Sequence, residues 1–202
     1  MCQFIETIRV EYGKLMALNH HQQRVNSTLI HFDAKCHIDL QQFVCPNEFS
    51  HIAVLKCRVL YDLKELLRIE FMPYAIKSIY SVGLVGIHGK EYSFKYADRA
   101  WINDLVTTSG KDEIIMCDQH MIKDASYANL AFYNGHKWIT PAQPLLKGTR
   151  REQLLNDYII HAQDIYVDQL HHYSQVKFIN AMMTWEESPS LNINNLTLSD
   201  IL

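Results

Sequence analysis

The stretch Ser93 to Arg99, "SFKYADR", puts a lysine inside a run of aromatic and small residues, between a glycine-rich segment and a helix-like pattern. Side chains on a strand alternate between faces, so Phe94 and Lys95 point in opposite directions. With Phe94 toward the core, Lys95 points either to water or into a cavity. On this segment alone a surface lysine is the commoner reading. A lysine held inside a protein is there for its amine, because desolvation favours the neutral, nucleophilic form.

The residues on either side decide what kind of fold this segment joins. Toward the N-terminus, "FIETIRV" is strand-like, "EYG" is turn-like and "KLMAL" reads as a second strand. "NHHQQRVNSTLIHF" then has Asn19 as an expected N-cap and Val25, Leu29 and Phe32 at helical spacing. "FSHIAVLKCRVLYDL" and "LLRIEFMPY" read as two strands around the polar "DLKE". Together these predict a small α/β domain over residues 1–82. "SVGLVGIHGKEY" holds Gly83, Gly86 and Gly89 and reads as a connection over residues 83–90. It does not fit the dinucleotide-binding fingerprint G-x-G-x-x-G.

Toward the C-terminus, residues 91–202 read as a larger domain richer in strands. Trp101, Ile102 and Leu105 suit a core or a dimer interface. "DEIIMCD" is a short apolar strand, and "LAFYNGHKWIT" reads as a hairpin with Asn134-Gly135 in a type I′ turn. "PLLKGTRREQLLNDYIIHA" switches to helical period, with Leu154, Leu155, Tyr158 and Ile159 on one side. "QVKFINAMM" is a further strand, and the tail "EESPSLNINNLTLSDIL" is expected to pack loosely. The sequence shows no internal repeat.

Composition narrows the function classes. The 202-residue chain is 48% hydrophobic and 20% charged, within the range of globular proteins, with a formal net charge of −3. That balance gives no electrostatic reason to expect nucleic acid, and no basic amphipathic run suggests a membrane surface. "MCQFIETIRVEYG" lacks a basic segment followed by a long apolar run, so no signal peptide is expected. Cys2, Cys36, Cys45, Cys57 and Cys117 include no C-x-x-C pair and read as reduced thiols of a cytoplasmic protein. The adjacent histidine pairs His20-His21 and His171-His172 carry no metal-ligand spacing.

Two further constellations join Lys95. Gly148 and Thr149 precede an amphipathic helix, with Glu152 three residues after Thr149 as in a capping box. A helix start exposes unpaired N–H groups and suits a phosphate, although a plain threonine N-cap explains the same residues. Asp124 comes just before a Ser-Tyr-Ala-Asn segment and reads either as a solvated turn aspartate or as a carboxylate aimed at a cationic group. Pyridoxal phosphate asks for all three: an amine, a phosphate cradle and a carboxylate partner for its pyridine nitrogen.

In this order and spacing the motifs resemble the class IV aminotransferases, the fold-type IV pyridoxal-phosphate enzymes, and within them most the 4-amino-4-deoxychorismate lyases. "FIETIRV…HHQQRV" is similar to the family's F-x-T-x-R strand and H-x-x-R helix. The resemblance makes Arg24 a grip on the cofactor phosphate. "FKYADR" resembles the lysine segment l-K-h-l-N-R, which makes Lys95 the Schiff-base lysine. "DASYANLAFYNGHKWITP" resembles E-x-s-x-x-N running on to T-P. It puts Asp124, in place of the family's glutamate, at the ring nitrogen, with Asn129 a further cofactor contact. "LLKGTRR" assigns Gly148 and Thr149 to the phosphate-binding helix start. "INAMM" assigns Asn180 and Ala181 to a second phosphate contact.

The resemblance implies an α+β fold of two domains, the larger with a barrel-like sheet, in a homodimer acting on a small amino substrate. It implies a lyase releasing pyruvate and 4-aminobenzoate, with Thr7 and Arg58 as substrate contacts. The alternatives are a D-amino-acid or branched-chain aminotransferase, or a protein that binds the cofactor without turnover. Arg24→Ala is expected to weaken cofactor binding while leaving the fold intact.

Overall fold

A computed structural model describes residues 2–49 and 52–197. Among the described residues it holds thirteen strands and three α-helices, and the α+β class expected from the sequence is the class observed. The chain divides into two compact units. The first comprises Met1–Ile76, Phe94–Asp98 and Ala181–Met183, and the second Lys77–Ser93, Arg99–Asn180 and Thr184–Leu202.

The first unit is built from β1 (Gln3–Glu11), β2 (Lys14–Leu15), α1 (Leu18–His31), β3 (Val54–Asp62) and β4 (Leu66–Pro73). Its sheet is antiparallel in the order β2-β1-β3-β4. Alternation puts Phe4, Glu6, Ile8 and Val10 on one face, in register with Tyr61, Val59, Cys57 and Leu55. Val25 and Leu29 of α1 complete that apolar cluster. Burying each large aliphatic chain there contributes roughly 1.5–3 kcal/mol over leaving it exposed. The helix does not start on an Asn19 cap. Ala17, at φ 50°, precedes it, and the Ala17 carbonyl already accepts from the His20 and His21 N–H groups. That left-handed residue also ends β2 after Leu15, so "KLMAL" forms only a short strand.

The second unit follows with β5 (Val82–Gly86), α2 (Ala100–Ser109), β6 (Glu113–Asp118), β7 (Met121–Ala125), β8 (Asn129–Tyr133) and β9 (Trp138–Pro141). α3 (Thr149–Asn156), β10 (Ile160–Gln163), β11 (Gln175–Ile179), β12 (Ser190–Asn192) and β13 (Leu196–Thr197) complete it. One sheet runs β13-β5-β6-β7 and the other β10-β9-β8-β11-β12. The glycine-rich stretch is therefore partly a strand. Val82 and Leu84 are buried, and a Cβ on Gly83 would meet Lys111 Cγ at 3.2 Å, so this glycine serves close packing. Ile102 is buried, while Trp101 and Leu105 are half-buried.

Three local expectations change. The β8–β9 loop spans Asn134 to Lys137, with Phe132 opposite Ile139 and Tyr133 opposite Trp138. Asn134 Oδ1 accepts from the His136 and Lys137 N–H groups, which favours this longer loop over a two-residue turn. Tyr158 and Ile159 do not extend the buried side of α3. Tyr158, at φ 57°, reverses the chain into β10, and both residues are exposed. The tail is also not loose up to Thr197, because β12 and β13 join the two sheets and Ile193 is buried between them in sequence. Residues 198–202 of the tail lie outside the described residues.

All five cysteines are free thiols. Among the described residues no cluster could hold a metal ion, and no helix is long and apolar enough to cross a membrane.

Candidate active site

In the first unit, Lys95 lies in an irregular segment along the edge of β1 that β3 does not use. Ile5 N–H donates to the Lys95 carbonyl at 2.9 Å, Ala97 N–H donates to the Gln3 carbonyl at 2.8 Å, and Phe4 and Tyr96 form a single bridge. A tight turn from Tyr96 N–H to the Phe94 carbonyl, 2.9 Å, stops this pairing from becoming the strand expected around the lysine. Phe94 and Tyr96 anchor the segment in a ring cluster with Phe4, Phe32 and His31. Lys95 is thereby half-buried between two fixed aromatics.

Arg24 and His21 are three residues apart on α1 and so share a helix face. Both converge on Glu6, which is fully buried on the helix-covered face of β1. Arg24 donates from Nε to Glu6 Oε1 at 2.8 Å and from its NH2 nitrogen to Oε2 at 2.5 Å, and His21 Nδ1 lies 2.5 Å from Oε2. Burial pushes the Glu6 carboxyl up, but Arg24 and His21 outweigh it and hold the group at about 2. Glu6 is therefore ionised and can only accept, so the proton of neutral His21 resides on Nδ1. Burial holds His21 below the ordinary imidazole range. Glu6 pulls the other way, and the nearby charges of Arg24 and Lys95 add to the lowering. His21 Nε2 is buried and has no hydrogen-bond partner.

Thr7 and Arg58 are cross-strand partners on the opposite face of β1 and β3 from Glu6. Arg58 pairs with Glu70 at 3.1 Å. Arg9 shares that face two residues along from Thr7. It is buried, and it donates to the Met182 carbonyl at 2.6 Å and to Glu11 at 2.6 Å. Ala181, half-buried, belongs to the same short segment as Met182. The structure thus sets Arg24 with His21 on Glu6, and sets Thr7 with Arg58. It does not put Arg24 on the face of β1 that carries Thr7.

In the second unit, Asp124 at the end of β7 is buried rather than a solvated turn residue. Its Oδ1 accepts from Asn129 Nδ2 at 2.7 Å and its Oδ2 from the Leu146 N–H at 2.9 Å, while Asn129 Nδ2 also donates to the Leu146 carbonyl at 2.8 Å. Burial raises the Asp124 carboxyl to about 6, with the two hydrogen bonds and the charge of Arg151 pulling against it. Gly148 lies against Asn129, where a Cβ would fall 2.0 Å from Asn129 Oδ1, so any larger residue must displace the Asn129 side chain.

Gly148, not Thr149, is the N-cap of α3. Its backbone is extended, and no side chain caps the helix. The capping box does not form, because Thr149 is already the first helical residue and Glu152 pairs with Arg151 instead. The Glu152 N–H makes the first helical bond, to the Gly148 carbonyl at 3.0 Å. The N–H groups before it have no place in the helical ladder, which makes this end of α3 a seat for an anion. Arg151 is held by Thr140 Oγ1, the Pro141 carbonyl and Glu152, so its charge stays fixed. Asn180, half-buried, follows β11 directly.

Three functional candidates were not singled out from sequence: Glu6, His21 and Arg9. Each lies inside the quoted strand and helix motifs, so the signal was present. Their partners are residues distant in the chain, which spacing does not reveal.

The family model for amino-transferase class IV matches residues 91–186. An uncharacterized Haemophilus influenzae protein is 34% identical over 191 residues, spanning 90% of this chain and 98% of that protein. A crystal structure of a Haemophilus somnus 129PT protein, provisionally named 4-amino-4-deoxychorismate lyase, matches with a TM-score of 0.82 and 31% identity, covering 90% of this chain and 97% of that one. A Schizosaccharomyces pombe protein, provisionally named aminodeoxychorismate lyase, is 32% identical over 84 residues, or 39% of this chain and 36% of that protein.

Proposed function

This chain belongs to the class IV aminotransferase family, and on that premise we propose that it is a pyridoxal-phosphate-dependent lyase releasing pyruvate and 4-aminobenzoate from 4-amino-4-deoxychorismate. The observation that carries the reading is the arrangement around Gly148. A buried Asp124 and Asn129 grip the chain just before an uncapped helix start, where a glycine packs directly on Asn129. The provisional names of the Haemophilus somnus and Schizosaccharomyces pombe relatives support the choice of a lyase.

The residues present fit the cofactor. The ladder-free N–H groups of α3 suit its phosphate, and Gly148 lets the chain pack closely on Asn129 at that helix start. A carboxylate has about four acceptor sites, and the two hydrogen bonds to Asp124 leave capacity for the ring nitrogen. When bound, pyridoxal phosphate supplies an electron-withdrawing ring that stabilises charge on the reacting substrate carbon. Lys95 provides the primary amine that holds the cofactor, and its Nζ then takes and returns the proton at the substrate carbon. Asp124 holds a proton at the ring nitrogen. Thr149 and Gly148 bind phosphate oxygens, with Arg24, Asn180 and Ala181 as further phosphate contacts. Thr7 supplies a hydroxyl and Arg58 a guanidinium for the substrate.

The test is incubation of the purified protein, with cofactor, on 4-amino-4-deoxychorismate. Pyruvate and 4-aminobenzoate in equal amounts without an amino acceptor support the lyase. Products that form only when a keto acid is added make it a transaminase, and no uptake of cofactor sinks both readings. The same reading makes the protein a cytoplasmic homodimer, which a sedimentation mass of one chain, 23.6 kDa, would refute.

A further inference from the structure

The buried Glu6–His21–Arg24 group is more elaborate than an ion pair that merely closes a core. Isolated, a buried carboxylate costs far more than an apolar residue in the same space. Here it receives two donors from Arg24 and one from His21, all from one helix. His21 satisfies Glu6 through Nδ1 while its own Nε2 stays buried and unpartnered. A ring placed for its own comfort would have both nitrogens bonded, and an unsatisfied buried acceptor is costly. The geometry of His21 therefore serves Glu6. Glu6 in turn occupies the Nε–NH2 edge of the Arg24 guanidinium in a planar, two-pronged contact, which a point charge such as lysine does not reproduce.

We infer that Glu6 and His21 are positioning residues: Glu6 sets the plane of the Arg24 guanidinium for an anion, and His21 keeps the Glu6 carboxylate from turning. This rests on the proposed reading of Arg24 as a phosphate contact. A flexible arginine loses side-chain entropy on gripping a ligand, and holding it in advance removes that cost from binding. The anion is a phosphate monoester on an aromatic aldehyde.

The experiment compares binding of pyridoxal phosphate with binding of pyridoxal, which lacks the phosphate, by absorbance titration of cofactor-free protein. Wild type prefers the phosphorylated compound, and Arg24→Lys reduces that preference. Glu6→Gln reduces it about tenfold or more, the scale of one charge-assisted hydrogen bond, while affinity for pyridoxal is unchanged. His21→Asn, which retains an N–H donor near Nδ1, keeps most of the preference, and His21→Phe loses it. The His21 pair carries the test if Glu6→Gln does not fold. A preference lost in Arg24→Lys but kept in Glu6→Gln and His21→Phe overturns this inference alone. An equal fall for both compounds in Glu6→Gln also overturns it, because that is the mark of a structural role. Wild type with no preference for the phosphorylated compound overturns it together with the reading of Arg24.

Discussion

Replacing Asp124 with asparagine should change how the stability of the cofactor-free protein depends on pH. Burial raises this carboxyl from the ordinary 3.8 to about 6. A group whose pKa is raised by folding stabilises the folded state only while protonated. Its contribution is present below the unfolded value and is lost as pH rises toward and through the folded one. The gap between 3.8 and about 6 corresponds to about 3 kcal/mol in all. Of this, about 2 kcal/mol is lost between pH 4 and pH 7. Other groups titrate in the same window, Glu6 in the opposite direction, but they are common to both proteins and cancel in the difference. The assay is urea unfolding of wild type and Asp124→Asn across that range, after removal of pyridoxal phosphate. Whatever constant offset the amide brings, its stability relative to wild type should rise by about 2 kcal/mol from pH 4 to pH 7. Parallel curves would refute the assignment of Asp124 as a buried carboxyl that resists ionisation.

Arg24→Ala should destabilise the protein by roughly 3–5 kcal/mol, because it strands a buried carboxylate. This corrects the expectation of an intact fold, and replacing Glu6 and Arg24 together by leucine should recover most of the loss in a denaturation series. Gly148→Ala should cost about 1–3 kcal/mol, since its Cβ meets an Asn129 already tied to Asp124 and Leu146; an unchanged urea midpoint would show that Asn129 gives way. Borohydride treatment with pyridoxal phosphate should add one pyridoxyl mass on the peptide carrying Lys95, and Lys95→Ala should show none. A label on another lysine would remove Lys95 from its role.

Much of the fold was legible because it rests on short-range patterns. "FIETIRV" and "FSHIAVLKCRVLYDL" read as strands and contain β1 and β3, whose shared face carrying Phe4, Ile8, Leu55, Cys57 and Val59 joins the apolar cluster with α1. The spacing of Val25 and Leu29 announced the helix that covers them. The misjudged places are turns and ends. Asn134-Gly135 favours a two-residue turn locally, yet the pairing of Tyr133 with Trp138 leaves room for four residues. Ala17 starts α1 in a left-handed conformation that no local preference would select. The tail looks unanchored by composition and is held by strand partners in both sheets.

The order of its motifs, by itself, determined the family of this protein, the candidate amine at Lys95 and the glycine before α3. These depend on residue identity and local spacing, which survive without knowledge of the rest of the chain. Only the tertiary structure decided that Glu6 fixes one edge of the Arg24 guanidinium and that Asp124 is shared with Asn129 and the Leu146 backbone. Periodicity tells which way a side chain faces. Which charge or hydrogen bond meets it there depends on chain closure over many residues, and that closure sets the energy of every buried ionisable group.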